Sequence, residues 1–179
     1  LAIMATLLVL FGPGINASTS FDETVFQMQI PTDSPANMRT AFQILEDWAH
    51  GLTLDTTEID KERGVVIEEW RGGQGAGSRI RDQMLKVLLK DSRYAERIPI
   101  GTRESIETFA PDALRRFYRD WYRPELMGVI VVGDFDADEI LPLLRQHLEI
   151  LPKSAPTARH RQEYSVPAHP NTLLSLVTD

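Results

Sequence analysis

Residues 61–70, KERGVVIEEW, lie in a stretch that is typical of an α-helix, and they place three glutamates within eight positions. At about 100° per residue, Glu62 and Glu69 project from one face of such a helix, and Glu58 lies on the same stripe. Glu68 points elsewhere, and we expect it in solvent. Acidic rows on helices are usually solvated surface. However, like charges four residues apart repel each other unless a positive charge lies near them, so the row is either a solvated face or a site for a cation.

Capping signals mark the limits of this helix. Asp55 or Thr56 is a possible N-cap, and Gly72 and Gly73 end the segment. Next to the acidic row lies a stripe of three apolar residues: Ile59, Val66 and Trp70. The acidic row is therefore predicted to border the face that the helix buries.

Apolar residues spaced three or four apart predict further helices on both sides of this segment. The first contains Met38 and Trp48 and ends at Gly51. The helices that follow cover residues 78–89, 111–122 and 137–148. Pro142, in the last of these, is tolerated only if it lies in the first turn of its helix.

Strands are predicted from period-two alternation and from runs of β-branched residues. Residues 15–19 and 22–30 form a hairpin, MGVIVVGDF at 127–135 is the strongest strand signal, and TLLSLVTD at 172–179 is a lone strand. This order of elements favours an α+β fold, in which helices pack on one face of a mostly antiparallel sheet.

Composition divides the chain into domains. Four prolines and no periodicity across 151–170 predict an interdomain linker, 153–170, between an incomplete first domain, 1–152, and the first strand of a second domain, 171–179. LAIMATLLVLF at 1–11 is too short for a transmembrane span, which needs roughly twenty residues. It is either the remnant of a secretory signal or a buried helix of a chain whose beginning is missing. Both readings predict an N-terminally truncated fragment.

Charge and cysteine content exclude several classes of protein. Acidic residues outnumber basic ones by 26 to 19, which gives a net charge of −7, and no cluster of Lys and Arg interrupts this balance. Nucleic acid is therefore not an expected partner. The 179 residues contain no cysteine, which excludes disulfides, Cys-based zinc sites and thiol catalysis.

A metal ion would supply the positive charge that the acidic row lacks, and zinc is one metal that accepts carboxylate oxygen as a ligand. A catalytic zinc site needs three protein ligands, usually including imidazoles. The four histidines of the chain are scattered and form no paired motif: His50, His147, His160 and His169. Spacing alone leaves the choice between a solvated face and a metal site open.

The sequence nevertheless resembles the insulinase or pitrilysin family of zinc metallopeptidases, and its bacterial processing-type members most of all. Five segments carry the resemblance in the family's order: INASTSFDETVFQMQIPTD, ERGVVIEEW, RYAERIPIGT, FYRDWYRPELMGVIVVGDFD and HPNTLLSLVTD. The resemblance covers nearly all of the chain from Gly12 onward. It implies hydrolysis of peptide bonds by a water molecule that zinc activates and a glutamate deprotonates.

The resemblance implies roles for four residues. Glu69 resembles the glutamate that binds zinc, and Glu62 resembles the carboxylate that orients a ligand histidine. Asn16 and Ala17 resemble the edge-strand residues that pair with an extended peptide substrate through main-chain hydrogen bonds. The alternative for Asn16 is a polar residue in a simple hairpin. Tyr94 also matches a family position, and we expect a structural role for it because its chemistry suggests no other.

The sequence departs from the family at one point. The family's inverted zinc motif, His-x-x-Glu-His, should precede residue 15 by some tens of residues, but only LAIMATLLVLF and a Gly-Pro-Gly turn stand there. One of three expected Zn²⁺ ligands is present, so the 179 residues alone are expected to be inactive. Loss of the preceding strand and helix is also expected to expose apolar surface and to make the fragment prone to association.

Two functions remain in competition. The first is part of an active zinc endopeptidase whose other domains complete the site and which acts on peptide or protein substrates. The second is a non-catalytic binding or assembly subunit of the same fold. Glu62 and Glu69 together favour the first, since a lineage without zinc has no chemical reason to keep both on one face. An unrelated acidic α+β domain is a third, weaker alternative. The resemblance also favours export, for example to a bacterial periplasm.

Overall fold

A computed structural model describes residues 15–154 and 160–176 of the chain. Two strands, β1 (Ile15–Thr19) and β2 (Thr24–Met28), form the sheet of this part. The α-helices that follow are α1 (Pro35–Glu46), α2 (Thr56–Gly72), α3 (Ala76–Leu88), α4 (Arg103–Thr108), α5 (Pro111–Trp121) and α6 (Ala137–Leu148). The α+β class and the hairpin are thereby confirmed. The interpretation of residues 1–11 concerns a segment outside the described residues.

The chain divides into two compact units. The first comprises Phe26–Glu58 and Ala110–His160 with the residues up to Asn16, and the second comprises Ala17–Val25, Ile59–Phe109 and Arg161–Asp179. The bounds of the units fall inside both strands and inside α2. The domain limits predicted at 152 and 170 stay predictions.

The core of the first unit forms where α1 continues into a short π-helical turn, Asp47–Gly51. Ile44 and Trp48 are buried there, and four partly buried apolar residues pack against them: Phe26, Met28, Leu45 and Leu52. Phe26 and Met28 point inward from β2 because alternate residues of a strand face the same side. The helix stops at Gly51, as its sequence predicts.

Helices α1 and α6 of the first unit are joined by a polar contact inside apolar packing. His147 Nδ1 lies 2.6 Å from Glu46 Oε2, and both side chains are largely buried, with 8% and 16% exposed. The imidazole also stacks on the ring of Phe42, with 6.3 Å between centroids. Burial of these polar groups is tolerated because each is the hydrogen-bond partner of the other.

In the second unit, α2 buries Ile59 and Ile67, and α4 buries Ile106. Val66 and Trp70, which were expected on the buried stripe with Ile59, are only partly buried. The buried side of α2 instead follows a spacing of four residues, from Ile59 through Arg63 to Ile67. The buried face of α2 is therefore rotated about the helix axis, by a fraction of a turn, from the face that the sequence predicts.

The loop before α4 requires a glycine. Gly101 has a φ of +77°, and a Cβ at this position would lie 3.0 Å from Ser105 Oγ. Ser105 cannot move away easily, because it forms a reciprocal capping box with Thr102 at the start of α4. Any other residue at position 101 would be strained.

Three predictions about elements are wrong. Residues 127–132 form no strand, although their sequence is rich in β-branched residues, because no partner strand lies beside them in the part of the chain that the structure describes. Residues 172–176 form no strand either, and 177–179 lie outside the described residues. β2 is shorter than the predicted 22–30.

A fourth error concerns Pro142. It lies inside α6 rather than in its first turn. Proline lacks an N–H, so the carbonyl four residues earlier receives no helical hydrogen bond from it. The two turns around Pro142 still form, with Ile140 buried on one side of the helix. Tertiary packing of α6 therefore outweighs the local cost of the proline.

Candidate metal centre

The first turn of α2 is held at two points. Asp55 Oδ1 accepts hydrogen bonds from the backbone N–H groups of Thr57 at 2.8 Å and Glu58 at 3.4 Å, so Asp55 is the N-cap. The same hydrogen bonds lower the pKa of the Asp55 carboxyl. Arg115 of α5 donates to the Leu54 carbonyl at 2.9 and 3.0 Å and to Thr56 Oγ1 at 2.7 Å. These contacts determine where the helix begins.

Farther along α2, Arg63 ties the helix to the end of α4. Its guanidinium donates to the carbonyl oxygens of Ile106 at 2.7 Å and Phe109 at 2.6 Å, and its Nε donates to Asp60 at 2.9 Å. The guanidinium carbon also lies 3.9 Å from the centroid of the Phe109 ring. Charged hydrogen bonds of this kind are the stronger ones in proteins, so Arg63 restrains the rotation of α2 about its own axis.

The three glutamates of the opening motif differ in their surroundings. Glu68 is exposed and forms an ion pair with Arg71 one turn later. Glu62 is partly buried and Glu69 is exposed. Among the residues that the structure describes, neither the Glu62 nor the Glu69 carboxylate has a side-chain partner. Glu68 is thus exposed, as expected, and its ion pair with Arg71 distinguishes it from the two carboxylates seven residues apart.

Zinc cannot be held by the described residues alone. Among residues 15–154 and 160–176, no group of three or more histidine, cysteine, aspartate or glutamate side chains could bind a metal ion. Glu62 and Glu69 are two carboxylates on one helix, and a zinc site of the hydrolytic type needs imidazole ligands as well. The described residues by themselves therefore form no complete metal centre.

Asn16 and Ala17 lie on β1, the strand on which the sequence placed them. Asn16 is exposed and Ala17 is partly buried. The strand pairs with β2 through a short turn, and the hydroxyl groups of Thr19 and Thr24 lie 3.3 Å apart at its base.

Sequence reasoning missed the residues that hold the candidate elements in place. Arg63, Arg115 and Tyr118 make contacts over 43 to 71 positions of sequence, and only the fold brings such partners together. The Tyr118 hydroxyl donates to the Trp48 carbonyl at 2.9 Å. Burial is the main reason that the pKa of Tyr118 rises to about 12.

The sequence matches two family models. Residues 3–96 match the model described as Insulinase (Peptidase family M16), and residues 108–177 match the model described as Peptidase M16 inactive domain. The first match covers more than half of the 179 residues. The chain therefore belongs to the insulinase family of peptidases, M16, which confirms the resemblance.

Curated relatives of the chain are named as zinc proteases. Over 142 residues it is 42% identical to the probable zinc protease PqqL of Escherichia coli, an alignment that covers 79% of this chain and 15% of PqqL. Over 166 residues it is 34% identical to the zinc protease PQQL-like of Arabidopsis thaliana, covering 92% of this chain and 17% of that protein. The chain thus spans about a sixth of the length of these relatives.

Solved structures share the fold. The first half of the periplasmic protease PqqL from Escherichia coli superposes with a TM-score of 0.85 at 36% identity, over 93% of this chain and 36% of that one. The ferredoxin protease FusC, in complex with Arabidopsis ferredoxin, superposes with a TM-score of 0.84 at 28% identity, over 94% of this chain and 19% of that one. The α+β fold is therefore that of an M16 peptidase domain.

Proposed function

We propose that the chain is part of a zinc metalloendopeptidase, to which it contributes one zinc ligand, Glu69, and the carboxylate that orients a ligand histidine, Glu62. The observation that carries this proposal is the placement of both carboxylates on one restrained helix, seven residues apart and without side-chain partners in the described residues. Membership of the M16 family supports the zinc chemistry. Two carboxylates that have no cationic side chain as a partner can bind a metal ion together with ligands from another segment.

The remaining ligands belong, in this proposal, to another segment of the same polypeptide. The 179 residues contain no His-x-x-Glu-His motif, and the relatives are several times longer. Peptide hydrolysis is therefore assigned to a longer polypeptide that includes this segment, and the 179-residue chain by itself is expected to be inactive.

Extended peptides or unfolded protein segments are the proposed substrates. Asn16 and Ala17 would bind them by pairing the main chain of β1 with the main chain of the peptide, which accepts many side-chain sequences. The naming of FusC as a ferredoxin protease, in complex with ferredoxin, shows that a related fold engages a whole protein.

Because PqqL is named as periplasmic, a bacterial periplasm is the proposed location.

A non-catalytic binding or assembly role is the second candidate. It is favoured by one observation, the match of residues 108–177 to a model described as an inactive domain. The coding sequence upstream of Leu1 separates the two candidates. A His-x-x-Glu-His codon run in frame supports the peptidase, and its absence from a complete reading frame supports the non-catalytic role.

Zinc content tests the ligand assignment. In the longest polypeptide that includes this segment, Glu69→Gln is expected to abolish stoichiometric zinc, since an amide is a poor zinc ligand. Glu62→Gln is expected to weaken zinc binding about 10- to 100-fold, the usual effect of removing the partner of a ligand histidine. Zinc is measured by elemental analysis after dialysis and by competition with a chromogenic chelator.

Glu68→Gln is the matched control, because Glu68 lies on the same helix, is exposed and already pairs with Arg71. It should bind zinc as the parent does. If Glu69→Gln retains one zinc per chain with unchanged affinity, the assignment of Glu69 is wrong.

A further inference from the structure

The turn that joins β1 to β2 is closed by its own backbone. The N–H of Ser20 donates to the carbonyl of Glu23 at 2.9 Å. Phe21 and Asp22, at the tip, are exposed and contact residues far away in sequence. The turn is thus both locally closed and attached to a second element of the same unit.

Tyr94 makes both of these contacts. Its hydroxyl lies 3.0 and 3.1 Å from the two carboxylate oxygens of Asp22, to which it donates. Its ring packs edge-on against the ring of Phe21, with 5.4 Å between centroids and 83° between planes. The hydrogen bond to Asp22 raises the pKa of Tyr94, so the phenol remains a donor throughout the neutral range.

The element that carries Tyr94 is itself anchored. Tyr94 belongs to a 3₁₀ turn, Arg93–Glu96, that packs against α3. Its neighbour Arg93 donates a hydrogen bond to the hydroxyl of Tyr164, and the guanidinium carbon lies 4.9 Å from the centroid of that ring. The β1–β2 turn therefore contacts a 3₁₀ turn that is itself held by α3 and Tyr164.

We propose that Tyr94 is a positioning residue for peptide binding, which holds the hairpin through Phe21 and Asp22 and so keeps β1 ordered for pairing with an extended peptide. This inference rests on the proposed function, because it concerns the strand on which Asn16 and Ala17 lie. A two-stranded hairpin is marginally stable by itself. A strand that must first become ordered binds more weakly than one that is already ordered.

Tyr94→Phe tests this role, since it removes the hydroxyl and keeps the ring against Phe21. The experiment uses the longest polypeptide that includes this segment and a fluorescein-labelled, unstructured casein peptide, with 1,10-phenanthroline present to stop zinc-dependent cleavage. Loss of one exposed hydrogen bond is expected to raise the Kd of the peptide about fivefold. Hydrogen exchange of the β1 and β2 amides, followed by mass spectrometry, is expected to become faster.

Two further variants separate positioning from general stability. Tyr118→Phe makes the same chemical change in the other unit, and it should lower stability without changing peptide affinity or exchange in the hairpin. Asp22→Asn retains a hydrogen-bond acceptor for Tyr94, so it should keep most of the affinity. The pattern expected is therefore weak binding for Tyr94→Phe and near-parent binding for the other two.

Other outcomes overturn the inference. If exchange of the hairpin amides quickens while the Kd stays the same, Tyr94 is only structural. If the Kd rises while exchange is unchanged, the hairpin is not the route, and a parent that binds no peptide also refutes the role. A parent that binds the peptide but never cleaves it without the chelator refutes the proposed peptidase function and leaves the role of Tyr94 standing.

Discussion

Tyr118 shows, at the scale of the residue, how one hydroxyl group secures a helix end. The hydroxyl donates to the Trp48 carbonyl at 2.9 Å in the π-helical turn, and the hydroxyl oxygen accepts a hydrogen bond from the backbone N–H of Leu52 at 3.4 Å. Tyr118→Phe removes this bridge and is expected to lower the free energy of unfolding by about 1 kcal/mol. Urea unfolding at pH 7, followed by circular dichroism, measures the difference.

The dependence of stability on alkaline pH gives a second test of the contribution of Tyr118. The folded pKa of Tyr118 is about 12, above the ordinary value of 10.0. A raised pKa means that the neutral phenol stabilises the fold fully below pH 10 and loses this effect as the pH rises through 12. The stability difference between the parent and Tyr118→Phe should therefore shrink over this range. A difference that stays constant to pH 12 would contradict the role of burial.

The glutamates of α2 illustrate the limit of spacing as evidence. The helical period places Glu62 and Glu69 on one face, but it cannot tell a solvated row from a ligand set. The structure separates the residues by their partners, since Glu68 pairs with Arg71 while the other two carboxylates have no side-chain partner in the described part of the chain. This contrast is what makes Glu68 a suitable control for the zinc experiment.

At the scale of the element, Arg63 is the side chain that holds α2 against α4. Only 17% of its side chain is exposed, and it donates to two carbonyl groups near the end of α4, those of Ile106 and Phe109. Arg63→Met preserves the apolar stem and removes both hydrogen bonds. We expect a loss of about 2–3 kcal/mol in the free energy of unfolding, because hydrogen bonds from charged groups contribute more than neutral ones.

Arg63→Lys is the matched control for this prediction. Lysine keeps the charge, but its single ammonium group cannot span two carbonyl groups as the planar guanidinium does. Its stability should lie between those of the parent and Arg63→Met when all three are unfolded in urea. Equal stability of Arg63→Met and the parent would show that α2 is held by its apolar contacts alone.

Residues 127–132 show why an element cannot always be assigned from its own residues. Their β-branched side chains suit a strand, yet a strand exists only when its N–H and C=O groups pair with a neighbour. The described residues contain a two-stranded sheet made of β1 and β2. The intrinsic preference of the segment is therefore unused in this part of the fold.

At the scale of the whole molecule, exposed apolar residues stand out. In the first unit, Ile130 and Val132 are each 88% exposed, and in the second unit Leu174 and Leu176 are 96% and 90% exposed. Large apolar side chains with this degree of exposure favour association between molecules.

No helix among the described residues has the length and apolarity that a membrane crossing requires.

Self-association of the 179-residue chain is the resulting prediction. Sedimentation velocity should show an average mass that rises with protein concentration. The double variant Ile130→Thr, Val132→Thr keeps the β-branched backbone preference and reduces apolar area, so it should associate less. Val66→Thr, on a partly buried position of α2, serves as a control for the threonine substitution. A parent that remains monomeric at all concentrations would contradict the prediction.

The sequence by itself determined the local features of this protein and its family. Helix limits at Asp55, Gly51 and Pro111 follow from caps and backbone restrictions that act within a few residues. The family segments, read in order, identify an M16 peptidase domain. Such information is local or is carried by the residues themselves, so no tertiary contact is needed to obtain it.

Only the tertiary structure decided which residues hold the candidate site and which predicted strands form. Arg63 reaches Phe109 over 46 positions and Tyr94 reaches Asp22 over 72, and no local pattern marks such pairs. A hydrogen bond requires its partner within about 3 Å, a condition that the path of the chain satisfies. For the same reason, the β-branched run at 127–132 could specify a preference but not a strand, because a strand is completed by its neighbour.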